Sequence, residues 1–239
     1  ERLLYRLSQS EHRNVFVLKG AMLFQLWGDH PHRPTRDLDL LGTGDSSVSR
    51  CERILREVCA LAVEEDGLVF NAASVRGETI KEDQEYQGLR VNLDCRLENA
   101  RIPLQIDIGF GDVVTPAATE VRDPVLLDFP APVLPAYSRE SVVAEKFQAM
   151  VMLGIANSRM KDFYDLWVIA RQFEFEGPLL SQAIRATFAR RRTAVPAAVP
   201  VALSSEFVQD RAKQTQWRAF IAKSSMVLNV HNQGSLSMI

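Results

Sequence analysis

Two aspartates set two residues apart, Asp37 and Asp39, are the side chains of this chain best suited to chemistry. They lie in Arg33-Pro-Thr-Arg-Asp-Leu-Asp-Leu-Leu41, where acidic and apolar residues alternate. A strand sends alternate side chains to opposite faces, so both carboxylates point one way and Leu38 and Leu40 the other. Two like charges held side by side repel unless a cation sits between them. Hard oxygen ligands at this spacing suit Mg²⁺, which typically takes one or two carboxylates together with substrate phosphates. A third carboxylate, Asp107, lies between Ile106 and Ile108 and shares a strand face with Gln105. Burying it without a partner is costly, so it requires a cation or hydrogen bonds.

Other candidates carry two readings each. Gly20 follows the apolar run Asn14-Val-Phe-Val-Leu-Lys19, and a glycine at such a turn lets backbone amides approach a phosphate at the start of a helix; it also serves as plain turn geometry. Lys146 flanks the apolar stripe of a helix, either snorkelling or facing a site. Asp162 and Asp165, at i and i+3, either complement a helix dipole or act on a ligand. Arg190-Arg-Arg192 suits phosphates but also suits a helix C-terminus. His30 and His32 lack the Cys/His partners of a metal site and read as solvated loop residues.

The elements that must position these groups follow from periodicity. Residues 14–19 read as a strand and 21–27 as a helix, with a loop from Gly28 leading to the Asp37/Asp39 strand. Ser47 to Ala62 is an amphipathic helix with Val48, Cys51, Ile54, Leu55, Val58 and Cys59 on its apolar side. Strand signals follow at 69–72, 78–82, 88–96 and 101–110, with residues 97–101 as a hairpin connection. Prolines at 124, 130, 132 and 135 end the β character, placing a domain boundary near Pro135. Beyond it the chain reads as helical: Ser138 caps a helix to about Leu153, Ser158 caps a second from Met160 to Phe173, and further helices cover 179–192 and 208–223. Val143, Phe147, Met150 and Gly154 form the expected stripe of the first, and Phe163, Leu166, Trp167 and Ala170 that of the second.

Composition sets the bounds. The 239 residues are 46% hydrophobic and 24% charged, ordinary for a globular protein of one large domain or two small ones. With 28 basic and 30 acidic residues, net charge −2, no whole-protein basic field attracts nucleic acid, so any such contact is local. Three cysteines, Cys51, Cys59 and Cys95, lack metal-ligand spacing and suggest a reducing cytoplasm. No apolar run reaches the roughly 18 residues of a membrane span. Helical spacing at residues 1–7 without a cap ahead of it suggests that chain precedes Glu1.

Gly20-Ala21, then Arg33-x-Thr-x-Asp37-x-Asp39, then Asp107 on a later strand, resembles the core of polymerase-beta-type nucleotidyltransferases. Four stretches in order more closely resemble the AbiEii family of nucleotidyltransferase toxins from toxin–antitoxin and abortive-infection systems. They are Phe16-Val-Leu-Lys-Gly-Ala-Met-Leu-Phe-Gln-Leu-Trp27, Arg33-Pro-Thr-Arg-Asp-Leu-Asp-Leu40, Glu145-Lys-Phe-Gln-Ala-Met150 and Lys161-Asp-Phe-Tyr-Asp-Leu166. The resemblance covers roughly residues 1 to 170. Ala21 departs from it, standing where many members have Ser or a second Gly.

The resemblance implies an α+β fold, with a nucleotidyltransferase-type mixed sheet flanked by helices over residues 1–136 and an α-helical domain over 137–239. It implies a catalytic set of Asp37, Asp39, Asp107, Lys146 and Asp162, with Mg²⁺ on the first three, and nucleotide contacts at Lys19, Gly20, Ala21, Thr35 and Arg36. A nucleoside triphosphate is the implied donor, RNA such as the tRNA 3′ end the acceptor, and an antitoxin the partner. Two other readings stay open: a nucleotide-binding component without activity, and a transferase with a small-molecule acceptor.

Overall fold

The run Phe16-Val-Leu-Lys19 forms strand β1 in the interior of a seven-stranded sheet, with Phe16 and Leu18 each 1% exposed. The computed structural model describes residues 1–28, 35, 37–81 and 87–223. Strand β2 (Asp37–Gly42) runs antiparallel to β1, and β5 (Ala100–Phe110) lies parallel to β2 on its other side. Outward from β5 come β4 (Gln87–Leu97) and β3 (Leu68–Lys81), both antiparallel to their neighbours. The sheet order is β3-β4-β5-β2-β1-β7-β6, which makes it mixed and the fold α+β.

Two strands run against the reading of the proline-rich stretch. Thr119–Arg122 (β6) and Val133–Ala136 (β7) form an antiparallel pair, and β7 joins β1 in parallel through Leu18 and Ala136. The prolines do not end the β character, because β7 takes Pro135 within a strand of only four residues. The separate signals at 69–72 and 78–82 also prove to be one strand, β3, interrupted by a bulge between Asn71 and Arg76.

The sheet's apolar face is covered by α3 (Val48–Ala60), which buries Cys51, Ile54, Leu55, Val58 and Cys59 as its periodicity requires. Helix α1 (Arg2–Gln9) packs beside α3 and β7. Gly77 of β3 makes the fit possible: a Cβ there would stand 2.8 Å from Val48 Cγ1. Leu18, Leu40, Ile108 and Leu89 meet side by side across four strands on this face, all nearly fully buried. Each such side chain contributes roughly 1.5–3 kcal/mol relative to exposure, so the alternation pins the register. The face opposite is therefore left to the polar residues.

Two compact units divide the described chain: residues 1–112 with 118–137, and residues 113–117 with 138–239. The second is helical: α4 (Arg139–Leu153), α5 (Met160–Gln172), α6 (Gly177–Arg190), α7 (Ser205–Gln209) and α8 (Arg211–Lys223). Ser138 caps α4, its Oγ accepting the Ser141 amide at 3.2 Å. Ser158 does not cap α5; Asn157 Oδ1 instead accepts the Arg159 amide at 2.8 Å. The core gathers Met150, Met160, Phe163, Tyr164, Val168, Phe207 and Trp217, with the rings of Phe163 and Phe207 stacked at 5.0 Å. The buried face of α5 is thus rotated from the expected one: Ala170 is exposed, while Asp162 and Asp165 lie inside. Among the described residues, no helix is long and apolar enough to cross a membrane.

Candidate active site

Strand register brings the acidic residues together. Asp39 of β2 stands level with Asp107 of β5, and Asp37 with Gln105. On the far side of β2, Lys19 of β1 is level with Asp39; on the far side of β5, Arg90 of β4 is level with Asp107, and Glu78 of β3 with Arg90. Cross-strand partners share a face. The sheet's polar face therefore carries one row of Lys19, Asp39, Asp107, Arg90 and Glu78, with Asp37 exposed one step along β2.

The turn after β1 is shaped around this row. Gly20 has φ +74° and opens a short 3₁₀ turn, residues 20–22, from which α2 (Leu23–Trp27) continues. A Cβ at Gly20 would lie 2.0 Å from Asp39 Oδ2, so a side chain and the aspartate cannot share the space. Ala21 is buried. Lys19 Nζ lies 3.7 Å from Asp112 Oδ2, both side chains well covered. Thr35 Oγ1 donates to the Asp37 carbonyl at 3.2 Å, bracing the entry to β2. Thr35, Asp37 and Gln105 also line the rim of a cavity of about 210 Å³ whose walls include Leu3, Leu38 and Phe70. Arg36, His30 and His32 lie outside the described residues.

Asp107 is held by groups the sequence reading did not assign to it. Arg90 Nε donates to Oδ1 and Arg90 Nη2 to Oδ2, each at 2.8 Å, while Gln105 Nε2 lies 3.4 Å from both oxygens. Its side chain is 16% exposed, and this two-pronged ion pair offsets the burial. The hydrogen bonds to Asp107, opposed by burial and assisted by the charges of Asp37 and Glu78, raise the Arg90 pKa above its already high ordinary value. Asp37 and Asp39 fit a divalent cation: hard oxygen donors on one face, with Gly20 putting no side chain of its own into the space of Asp39 Oδ2. Asp107 already has one lone-pair direction of each oxygen taken by Arg90, so a cation there would share the carboxylate with the guanidinium. Among the described residues, the one group of three ligand atoms within 4.8 Å is Glu11, His12 and Glu57, where His12 Nε2 already meets Glu57 Oε2 at 2.6 Å.

Lys146 and Asp162 meet in the helical unit. Lys146 Nζ lies 2.6 Å from Asp162 Oδ1 and 2.9 Å from Asp165 Oδ2, so the ammonium bridges α4 and α5. Burial pulls the Lys146 pKa down, but the two carboxylates outweigh it and hold the amine protonated above its ordinary range. Asp162 feels burial in the opposite sense, and Lys146 and Arg159 hold it below the usual carboxylate range. Arg159 Nε is 2.8 Å from Asp162 Oδ2, an ion pair without the alignment of a hydrogen bond. Of the three arginines after α6, Arg191 turns inward, Nη1 donating to Gln148 Oε1 at 3.0 Å, whereas Arg190 and Arg192 are exposed.

Residues 2–230 match a family described as nucleotidyl transferase AbiEii toxin, type IV toxin–antitoxin system. Among solved structures, JHP933 from Helicobacter pylori is similar over 99% of this chain and 84% of its own, with TM-score 0.57 and 13% identity. A candidate nucleotidyltransferase from H. pylori is similar over 99% and 87%, with TM-score 0.54 and 13% identity. At that identity the likeness concerns the fold. Among curated proteins, none matches.

Proposed function

Because the chain belongs to the AbiEii family of nucleotidyl transferase toxins of type IV toxin–antitoxin systems, we propose that it moves a nucleoside monophosphate from a nucleoside triphosphate onto an RNA hydroxyl, the tRNA 3′ end being the acceptor that the resemblance favours. The observation that carries this is the level placement of Asp39 and Asp107 on one sheet face, with Asp37 exposed beside them and Gly20 fitted against Asp39. In the reaction the acceptor hydroxyl gives up its proton to water, its oxygen forms a bond to the α-phosphorus, the bond from that phosphorus to the bridging oxygen breaks, and pyrophosphate leaves. Little covalent chemistry falls to the protein, so rate comes from positioning and charge neutralisation.

Asp37 and Asp39 are the residues that would hold Mg²⁺, which when bound supplies positive charge at the triphosphate. Gly20, where a side chain would collide with Asp39, and Ala21 we assign to backbone contact with the phosphates. Lys19, Thr35 and Arg36 we assign to the nucleotide. Lys146 we assign, by its place in the family's motif, to neutralising triphosphate charge. Its 2.6 Å contact supports a role for Asp162 in ordering the ammonium. Asp107, gripped by Arg90, is better suited to fixing charge on the face than to taking a proton. The family implies an antitoxin partner.

The helical unit supports an RNA acceptor: residues 113–117 and 138–239 carry 13 Lys and Arg against 8 Asp and Glu, whereas the sheet unit carries 15 against 22. The small net charge thus conceals a basic unit and an acidic one, the pattern expected when one part approaches phosphates. Incubating the protein with Mg²⁺, total RNA and each α-labelled triphosphate in turn tests the proposal. Label on RNA is the expected result. Label on no acceptor would favour a binding component, and label appearing only with an added small hydroxyl compound would move the acceptor class.

A further inference from the structure

Arg90 is a cation already built into the acidic face. Its guanidinium takes both oxygens of Asp107 at 2.8 Å, and Gln105 Nε2 approaches the same two oxygens at 3.4 Å. A carboxylate engaged in this way has committed its best acceptor directions to one partner. The next strand puts Asp39 level with Asp107, and the charge of Asp37 also reaches Arg90. Three carboxylates on one face call for cations between them, and in a two-metal arrangement the third carboxylate completes the second ion's position. Here that carboxylate is paired with a side chain. Arginine stays protonated at any working pH, so its charge is present whatever the concentration of free metal.

We propose that Arg90 is the second cation of this site: fixed on Asp107, it neutralises the charge that a second divalent ion would otherwise neutralise, and the protein takes a single divalent ion, at Asp37 and Asp39. This rests on the reading of Asp37 and Asp39 as the ion's ligands. It separates the three aspartates by role, two for the ion and one for the arginine. A guanidinium also offers fixed, directional donors where a second ion would offer an exchangeable point charge, which makes Arg90 a positioning residue as well as a charge.

The test counts Mn²⁺ ions bound to the full chain, by the loss of the free-ion EPR signal on titration with Mn²⁺ alone. One ion is expected for the unaltered protein, lost in Asp39→Asn. Asp107→Asn should keep that ion, because Asp107 does not hold it. Arg90→Gln should bind two ions, since Asp39 and Asp107 are then free to share one, and Arg90→Gln combined with Asp107→Asn should return to one. Arg90→Lys, which keeps the charge, should stay at one. If Arg90→Gln does not fold, Arg90→Met, which also removes the charge, takes its place in the count. Two ions in the unaltered protein, loss of an ion in Asp107→Asn, or a single ion in folded Arg90→Gln overturns the proposal. No ion in the unaltered protein, or one ion that survives Asp39→Asn, overturns the Asp37/Asp39 reading itself and Arg90's assignment with it. A purely structural ion pair would lower the unfolding midpoint of Arg90→Gln and leave the ion count of that variant at one.

Discussion

The point where a Cβ at Gly20 would sit is 2.0 Å from Asp39 Oδ2 and 2.7 Å from its Cβ, so a side chain at residue 20 would need the volume that the Asp39 carboxylate fills. The same glycine holds φ +74°, a conformation L side chains rarely adopt. Gly20→Ala should therefore destabilise the protein by about 1–3 kcal/mol through backbone strain. It should also displace Asp39 and so cost transfer activity more than its stability loss alone explains. Urea unfolding and single-turnover transfer at a temperature where the variant is fully folded check both halves. Unchanged turnover would show that Asp39 tolerates the displacement.

The Lys146 side chain, 14% exposed, sits between two carboxylates that are themselves 2% and 0% exposed. Removing the amine takes away the cation that bridges Asp162 and Asp165 inside the helical unit and leaves Arg159 beside Asp162. Breaking a buried pair in this way costs on the order of 3–5 kcal/mol. Lys146→Ala should thus lose stability as well as activity, and activity loss alone cannot identify its role. Lys146→Ala combined with Asp165→Asn should recover part of the stability while leaving transfer low if Lys146 serves the triphosphate. Recovery of transfer along with stability would assign Lys146 to the fold.

How far the sequence discloses these arrangements depends on the range of the interaction. Local spacing suffices to put Asp37 and Asp39 on one face, to place Asp107 on a later strand and to cap α4 at Ser138, because each follows from the pattern of one element, whereas the pairing of β2 with β5 does not. The Arg90–Asp107 pair needs the hairpin register. Residues 97–101 read as a connection, but the strands close more tightly, pairing Leu97 with Ala100 around Glu98 and Asn99. Counting back from that pair puts Arg90 opposite Asp107, so the contact is implicit in the turn once its length is known. The role of β7 is less legible. Four residues containing a proline carry little propensity, and their strand character comes from pairing with β6 along all four residues and with β1, over a hundred residues away, at Ala136. On α5, apolar spacing alone favours the Phe163/Leu166/Trp167 face. The Lys146 ammonium supplies the compensation that lets Asp162 and Asp165 turn inward instead.

The exposed arginines of the helical unit set a salt-dependence test. Arg185, Arg190, Arg192, Arg211 and Arg218 are all solvent-facing, while Arg191 is tied to Gln148. If the acceptor is RNA held through phosphates, log K for RNA should fall with log salt, with a slope of about 0.7 per phosphate contact on single strands. Arg185→Glu with Arg192→Glu should flatten that slope and weaken RNA binding at low salt, leaving triphosphate binding unchanged. An unaltered slope would move the RNA contact elsewhere on the protein.

A final prediction concerns pH and stability, and it turns on a carboxylate remote from the acidic row. Asp123 follows β6, is 3% exposed, and its Oδ1 has no hydrogen-bond partner, while its amide donates to the Pro132 carbonyl at 3.0 Å. Burial pushes its pKa up to about 6, against roughly 3.9 for an unfolded aspartate. The sign follows from proton counting. Between those two values the folded chain holds a proton that the unfolded chain has lost, so Asp123 makes stability rise as pH falls from about 6 toward 4. Above pH 6 the folded protein carries an ionised, poorly solvated carboxylate and bears its full cost. Asp66 acts in the opposite sense at lower pH: burial raises its pKa, but hydrogen bonds from Arg6, Arg2 and the Leu68 amide outweigh it and hold the group well below the carboxylate range. Its contribution is present above about pH 4 and lost as pH falls further toward its folded value. Asp123→Asn should accordingly raise the urea midpoint at pH 7.5, change it little at pH 4.5, and leave the acid limb set by Asp66 in place. A variant less stable at pH 7.5 than the unaltered protein would mean that the ionised Asp123 carboxylate is compensated, and the pH slope between 4 and 6 would then belong to another group.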